Sequence, residues 1–362
     1  MKRCATVRPS RHILQSLSFV LLSTLSAIAA QAAPRYNIMV LPQAPPQYFQ
    51  AVGSGLNNHG DVVGSMSYSG NDGNTYSDAF MWQQGTNHLR IVTQEFGNPF
   101  PQDINDHRTV VTNTRIWQPG SGSQPIPVVP GSTLSVGTAV NNAGQVTGVS
   151  VGTTGSFLWD PATGIRALPV PAGMDHFSAW AINNHAEVVG AAQLDGWQEG
   201  GSFYWSEASG TRLVKDIDFT AINDLGQVVG NANGQAYLWT FADGAQPLGL
   251  LPGDPYAAAV DINNAGYVVG NGFSSGFLWS EAEGMMDLRE LVVDSDPLKA
   301  DVFFSSIIEI NDHNEILGDG YVGWNRYTFL LTPVPEPEVY AMMLAGLAAA
   351  TWIAHRRRRD RS

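Results

Sequence analysis

The 362-residue chain carries 19 Lys and Arg against 32 Asp and Glu, a formal net charge of −13, with 44% hydrophobic residues and one cysteine. The cations gather at the two ends, so the body between them holds ten basic and 29 acidic residues, a net of about −19. Such a body does not hold phosphate backbones or anionic lipid by charge, which excludes nucleic acid as a partner. Sparse charge with abundant Gly, Pro, Asn and aromatics fits an all-β protein rich in tight turns.

The N-terminus reads as a signal peptide over residues 1–32. Lys2, Arg3, Arg8 and Arg11 precede an apolar run from Ile13, and Ala30-Gln31-Ala32 supplies a small-x-small cleavage site. A retained N-terminal anchor is the alternative. Cys4 lies in the charged region, so the mature chain would have neither thiol nor disulfide and would rely on core burial.

From residue 33 to 332 one phrase recurs seven times, as in Ala181-Ile182-Asn183-Asn184-His185-Ala186-Glu187-Val188-Val189-Gly190. The copies begin at Gly55, Asp103, Ala139, Ala181, Ala221, Asp261 and Glu309: small or acidic, apolar, Asn, Asn or Asp, any residue, usually Gly, any residue, then two mostly β-branched residues and Gly. Their leading asparagines are Asn57, Asn105, Asn141, Asn183, Asn223, Asn263 and Asn311. The phrase reads as a β-hairpin, its Asn explained by hydrogen bonds to its own turn and its Gly by positive φ. In this register Asn142, Asp224 and Asn264 begin turns whose Gly144, Gly226 and Gly266 have φ > 0. Arg108 and Thr112 replace the two glycines of the second copy, so a less regular hairpin is expected there.

A continuous apolar run follows each hairpin, such as Phe157-Leu158-Trp159 or Phe203-Tyr204-Trp205. Without polar alternation it reads as a strand buried on both faces. A turn and a fourth apolar stretch complete a unit of about 42 residues, the length of a four-stranded propeller blade. The seventh unit lacks its fourth strand, and Tyr36–Pro42 has no hairpin before it. Pairing Ile38–Leu41 with Thr328–Leu331 closes the ring and covers the bare edge. An open array of hairpins is the alternative.

Two repeats carry insertions, Met66–Ser77 and Asp294–Asp301. Asn71, Asp72, Asn74 and Asp78 alternate in the style of a calcium loop but lack the closing glutamate of an EF-hand. Calcium there is the single cofactor reading; otherwise none is implied. His59, His107, His185 and His313 share one turn slot and read as solvent-exposed tips. No Gly-x-Ser-x-Gly elbow, His-Glu-x-x-His or phosphate loop occurs. Trp180 and Trp197 fall outside the repeated Trp position, where they are available to stack on sugars.

Residues 333–362 form a distinct tail: Pro335-Glu336-Pro337, an apolar span over 339–354, then Arg356, Arg357, Arg358 and Arg359. Sixteen helical residues reach roughly 24 Å, enough for a short single transmembrane helix whose arginines snorkel to the cytoplasmic side. This tripartite tail resembles the PEP-CTERM sorting signal of Gram-negative bacteria. An ordinary single-pass anchor is the alternative. The Asn-Asn-x-Gly-x-Val-Val-Gly hairpins and the Phe-Leu-Trp runs resemble the HAF repeats of extracellular proteins, although the name motif is degenerate here. The resemblance implies an exported protein without known catalytic residues. It also implies signal peptidase and exosortase as partners, transient residence in the inner membrane and delivery to the cell envelope or beyond.

The sequence as a whole is read as an all-β, seven-bladed β-propeller of four-stranded blades, with an N-terminal signal peptide and a C-terminal transmembrane helix. Function is read as noncatalytic binding or scaffolding in the envelope or extracellular matrix, with exopolysaccharide or surface proteins as partners. The alternative is a propeller-type polysaccharide lyase or glycoside hydrolase. A convergent acid/base pair in the central mouth favours the enzyme; a mouth of Asn, Ser and aromatics favours binding.

Overall fold

A computed structural model describes residues 33–335 except 98, 154 and 195–199. The signal residues Ala30 and Ala32, Trp197, Glu336, Pro337, the span 339–354 and Arg356–Arg359 lie outside the described residues. Among those described, no helix is long and apolar enough to cross a membrane.

Among the described residues from Arg35 on, 28 strands form seven four-stranded antiparallel sheets arranged as propeller blades. Six blades run in simple chain order outward. Their first strands are Tyr48–Leu56, Pro101–Ile104, Leu134–Val140, Met174–Ile182, Asp218–Ile222 and Ala257–Ile262. Blade 7 is assembled from both ends of the body, with Val302–Ile310 innermost, then Ile316–Val322, Asn325–Pro333 and, outermost, Tyr36–Val40. Ile38 stands opposite Leu331 and Val40 opposite Phe329, and the amide of Leu41 donates to the carbonyl of Thr328 at 3.0 Å. The closing strand is the expected one.

The Asp294–Asp301 insertion clasps that strand. Asp296 Oδ2 accepts the Ile38 amide at 2.7 Å, and the Val293 amide donates to the carbonyl of Tyr36 at 2.9 Å. Arg35 donates to the carbonyls of Leu291 and Val292 just before it. A long connection is thereby used to hold the seam of the ring.

The third strands are buried as their unbroken apolarity requires: Phe80, Phe157, Phe203, Phe277 and Phe329 are wholly inaccessible. Opposite each sits the glycine of the Val-Val-Gly phrase. A Cβ on Gly148 would land on the carbonyl oxygen of Val136 and the ring of Phe157; on Gly190 it would land on the carbonyl oxygen of Ser178. Close approach to the first strand, and not a special φ, explains these glycines.

The hairpin turn opens one residue earlier than the sequence register. In blade 3 the Gly144 amide donates to Asn141 at 2.9 Å and the Asn141 amide to Gln145 at 3.0 Å. Asn142 is therefore the second residue of the four-residue turn Asn141–Gly144, which ends in αL, a common hairpin form. Gly144, Gly226 and Gly266 do have positive φ, at 76°, 71° and 79°. The second blade's turn is not irregular: Arg108 adopts φ 58°, and Ala186 and Asn314 hold the same slot at 58° and 60° in blades 4 and 7. Its irregularity lies in the strands, which run only three or four residues.

Candidate functional site

Each innermost strand shifts register by one residue at the same place, between Gly53 and Gly55, Pro101 and Asp103, Gly137 and Ala139, and so on to Ile307 and Glu309. A bulge turns the next side chain, and here the next side chain is the first letter of the repeated phrase. Those letters line a cavity on the ring axis together with the hairpin asparagines. Some bulged residues also tie blades together. Ser54 Oγ donates to the carbonyl of Pro101 at 2.8 Å and Thr138 Oγ1 to that of Ala179 at 3.0 Å.

The leading asparagines do two jobs. Asn183 Oδ1 accepts the amides of His185 and Glu187, both at 3.0 Å, which is the local turn role expected from sequence. Its Nδ2 reaches outward and donates to the carbonyl of Asn223 in the next blade at 2.9 Å. The same bond runs from Asn57 to Asn105, Asn105 to Asn141, Asn141 to Asn183, Asn223 to Asn263, Asn263 to Asn311, and Asn311 back to Asn57. Seven buried carboxamides thus form an unbroken girdle around the axis.

A second ring lies on the next residues, Asn58, Asp106, Asn142, Asn184, Asp224, Asn264 and Asp312. Each backbone amide donates to the side-chain oxygen of the following member at 2.8–2.9 Å, and Asp312 closes on Asn58. Carboxylates and carboxamides alternate, and each Asp Oδ2 accepts an Nδ2 from both flanking asparagines. Seven is odd, so alternation must fail once. It fails at Asn142 beside Asn184, the pairing that puts no two like charges side by side.

Deeper in the channel stand Asp103, Asp261 and Glu309, clustered on blades 2, 6 and 7, while Ala139, Ala181 and Ala221 fill the same slot in blades 3 to 5. Asp103 accepts the amides of Ile104 and Val140 at 2.7 and 2.8 Å; Asp261 accepts those of Ile262 and Ile310 at 2.8 and 2.9 Å. Glu309 Oε2 accepts the amide of Leu56 at 2.7 Å. Removal from bulk water is the main reason that Asp103 is pushed up to about 6 and Asp261 to about 7. Glu309 is raised well above its ordinary value by the same burial, then by the charges of Asp103 and Asp261. The cavity they share measures about 210 Å3. At roughly 30 Å3 per water it accommodates about seven solvent molecules, and it falls below the ~300 Å3 at which small-molecule sites begin.

The other expected residues are dispersed. Asn71, Asp72 and Asn74 form the tip of the long Val62–Trp82 hairpin. There Asp72 accepts Asn74 Nδ2 and the Tyr76 hydroxyl, both at 2.7 Å, while Asp78 turns to the Tyr48 hydroxyl at 2.7 Å. No group of three or more His, Cys, Asp or Glu among the described residues is arranged to hold a metal ion. His59, His107, His185 and His313 are exposed turn tips. Trp180 is half-exposed at a bulge and does not line the channel.

Sequence reasoning did not single out Asp103, Asp261 and Glu309 as a group. The signal was present in the first letter of the repeated phrase, because equivalent positions on every inner strand of a ring must face the same axis.

No family model and no curated protein matches the sequence. Among solved structures the chain is similar to a streptogramin B lyase, with 9% identity over 83% of this chain and 98% of that one and a TM-score of 0.47. It is also similar to the virginiamycin B lyase of Staphylococcus aureus, at 10% over 83% and 100% with a TM-score of 0.47. A gluconolactonase of Xanthomonas campestris matches at 10% over 85% and 93% with a TM-score of 0.41. Likenesses of this degree bear on neither activity nor substrate.

Proposed function

We propose that the chain is a noncatalytic binding or scaffold protein of the bacterial envelope or extracellular matrix, with exopolysaccharide or a surface protein as its partner. The observation that carries this reading is the state of the axial carboxylates. Asp103 and Asp261 have both oxygens occupied by backbone amides, and Glu309 holds Leu56 of the next blade. They bind blade to blade, which commits to structure the oxygens that a hydrolytic acid/base pair needs free on either side of water and substrate.

The delivery reading belongs to the same proposal. The signal peptide starts export, the arginines after the short apolar span stop it, and an exosortase cuts near Pro335-Glu336-Pro337. Support comes from the residue pattern alone.

A second reading, a propeller lyase or hydrolase, is favoured by the convergence of three carboxylates with raised pKa on one side of the channel. The two readings separate in one assay. The full chain is incubated with neutral and uronate polysaccharides while new reducing ends and the ultraviolet absorbance of unsaturated uronates are followed. No product is expected. Product that disappears in Glu309→Gln and Asp261→Asn would replace the binding reading with the enzymatic one.

A further inference from the structure

Ring closure creates a second cavity, at the seam between the last and first blades. The chain leaving the closing strand, Leu41–Ala44, and the start of the first strand of blade 1, Tyr48–Ala51, face residues Trp324–Thr328 across a cleft of about 420 Å3. That volume lies within the ~300–1,000 Å3 range of small-molecule sites and is twice that of the axial cavity.

Two rings stand unused at this cleft. Trp324 is 99% exposed at the tip of the last hairpin, and Phe49 is 61% exposed on the opposite wall. The turn does not need a tryptophan, because Gly323 at φ 62° supplies the left-handed residue and the sibling turn of blade 5 is a plain Asn233-Gly234. A ring left in water contributes nothing to folding, and here two such rings line one cleft. Two more exposed aromatics adjoin it. Phe303 is paired across strands with Tyr321, and Tyr321 with Arg326, which places both aromatic side chains on one sheet face with the cleft-lining arginine.

The polar groups between the rings are neutral. Gln43, Gln50, Asn325 and the Tyr327 hydroxyl line the cleft, with Gln43 Nε2 donating to that hydroxyl at 3.4 Å. Arg326 is spent on the buried carboxylate of Asp319, at 3.2 Å. An anionic ligand therefore finds no uncompensated cation among the lining residues and meets a body of about −19. Carboxamides and hydroxyls flanking flat apolar faces suit a ligand with apolar faces and hydroxylated edges.

We infer that the seam cleft binds a neutral oligosaccharide segment, its pyranose faces stacked on Trp324 and Phe49 and its hydroxyls met by Gln43, Gln50, Asn325 and Tyr327. This deepens, and rests on, the binding reading above. A ligand held there touches the first and last blades together, so it also stabilises the ring by mass action.

The test is a glycan array carrying neutral β-glucan, mannan and galactan oligosaccharides beside uronate and sulfated counterparts. It is probed with the full chain in mild detergent and with Trp324→Ala, Phe49→Ala and Trp180→Ala. Neutral oligosaccharides should be retained. Trp324→Ala and Phe49→Ala should each weaken retention tenfold or more at unchanged melting temperature, and Trp180→Ala should leave it intact. Neutral retention that survives both cleft substitutions would overturn the cleft assignment while sparing the binding reading. Retention of acidic glycans alone, or of none, would overturn the assignment as well. Turnover of a retained glycan would contradict the noncatalytic reading and leave the cleft in place.

Discussion

Asn311 and Asn57 lie 254 residues apart in sequence, yet Asn311 Nδ2 donates to the carbonyl of Asn57 at 3.0 Å. This bond closes the seven-membered girdle, and it joins the last blade to the first beside the axis while Tyr36–Val40 joins them at the rim. The ring is locked at its inner and outer radius by different parts of the chain.

If the girdle is structural, Asn311→Ala removes one of the two donors to the Asn57 carbonyl and leaves the amides of His313 and Glu315 without their side-chain acceptor. A loss of roughly 2–4 kcal/mol is expected from several buried groups left unpaired. Urea unfolding should show it, with Asn183→Ala similar. A midpoint for Asn311→Ala matching the wild type would mean that the girdle contributes nothing.

The axial carboxylates set a pH dependence. Asp103 and Asp261 sit at about 6 and 7 in the folded chain, above the ~3.9 of an unfolded Asp, so folding takes up protons between these values. Their contribution is fully present below about pH 4 and is lost as pH rises through 6 to 7. Stability should fall by on the order of 1–4 kcal/mol from pH 5 to pH 8. Asp261→Asn should flatten the profile. Asp72, held down to about 2 chiefly by the Tyr76 hydroxyl, acts only in more acid solution. A chemical midpoint that rises from pH 5 to pH 8 would contradict this.

Arg108 occupies a slot where glycine is the common residue, and the substitution to that glycine should harm the protein. Its guanidinium meets Asp61 of the preceding blade at 2.6 Å, and the Asp61 side chain is 2% exposed. Arg108→Gly relieves a left-handed residue but strands a buried carboxylate, at a net cost of about 1–3 kcal/mol. Thermal melts of Arg108→Gly and Gly226→Ala compared side by side check this. An Arg108→Gly variant more stable than wild type would refute it.

The delivery reading has its own check. Intact mass of the protein recovered from outside the producing cell should correspond to a chain beginning at Ala33 and ending near Pro335. A recovered chain still ending at Ser362 would leave a plain anchor in place of processing.

Blade number, strand order and ring closure were legible because they rest on repeated burial: seven hairpins of the Val-Val-Gly kind, each followed by an apolar run such as Phe-Leu-Trp, can be satisfied in few ways. The doubly buried Phe157 and Phe203 follow directly from unbroken apolar runs. The turn role of Asn183 was legible for the same reason, being local. Its Nδ2 bond to Asn223 was not, because a carboxamide does not announce which neighbour its second half serves. Nor was the seam cleft. Trp324 and Phe49 belong to no repeat, and they meet only because a strand from one end of the body completes a blade from the other. The turn opens at Asn141 and not at Asn142 because its closing bond, from the Gly144 amide to the Asn141 carbonyl, spans four residues.

Isothermal titration of the wild-type full chain with a soluble neutral β-glucan or mannan tests binding without catalysis most directly. A saturating isotherm with no sustained heat after each injection, and no new reducing ends in the cell afterwards, is the expected result. Continuous heat that scales with glycan and ends in shortened chains would contradict the reading.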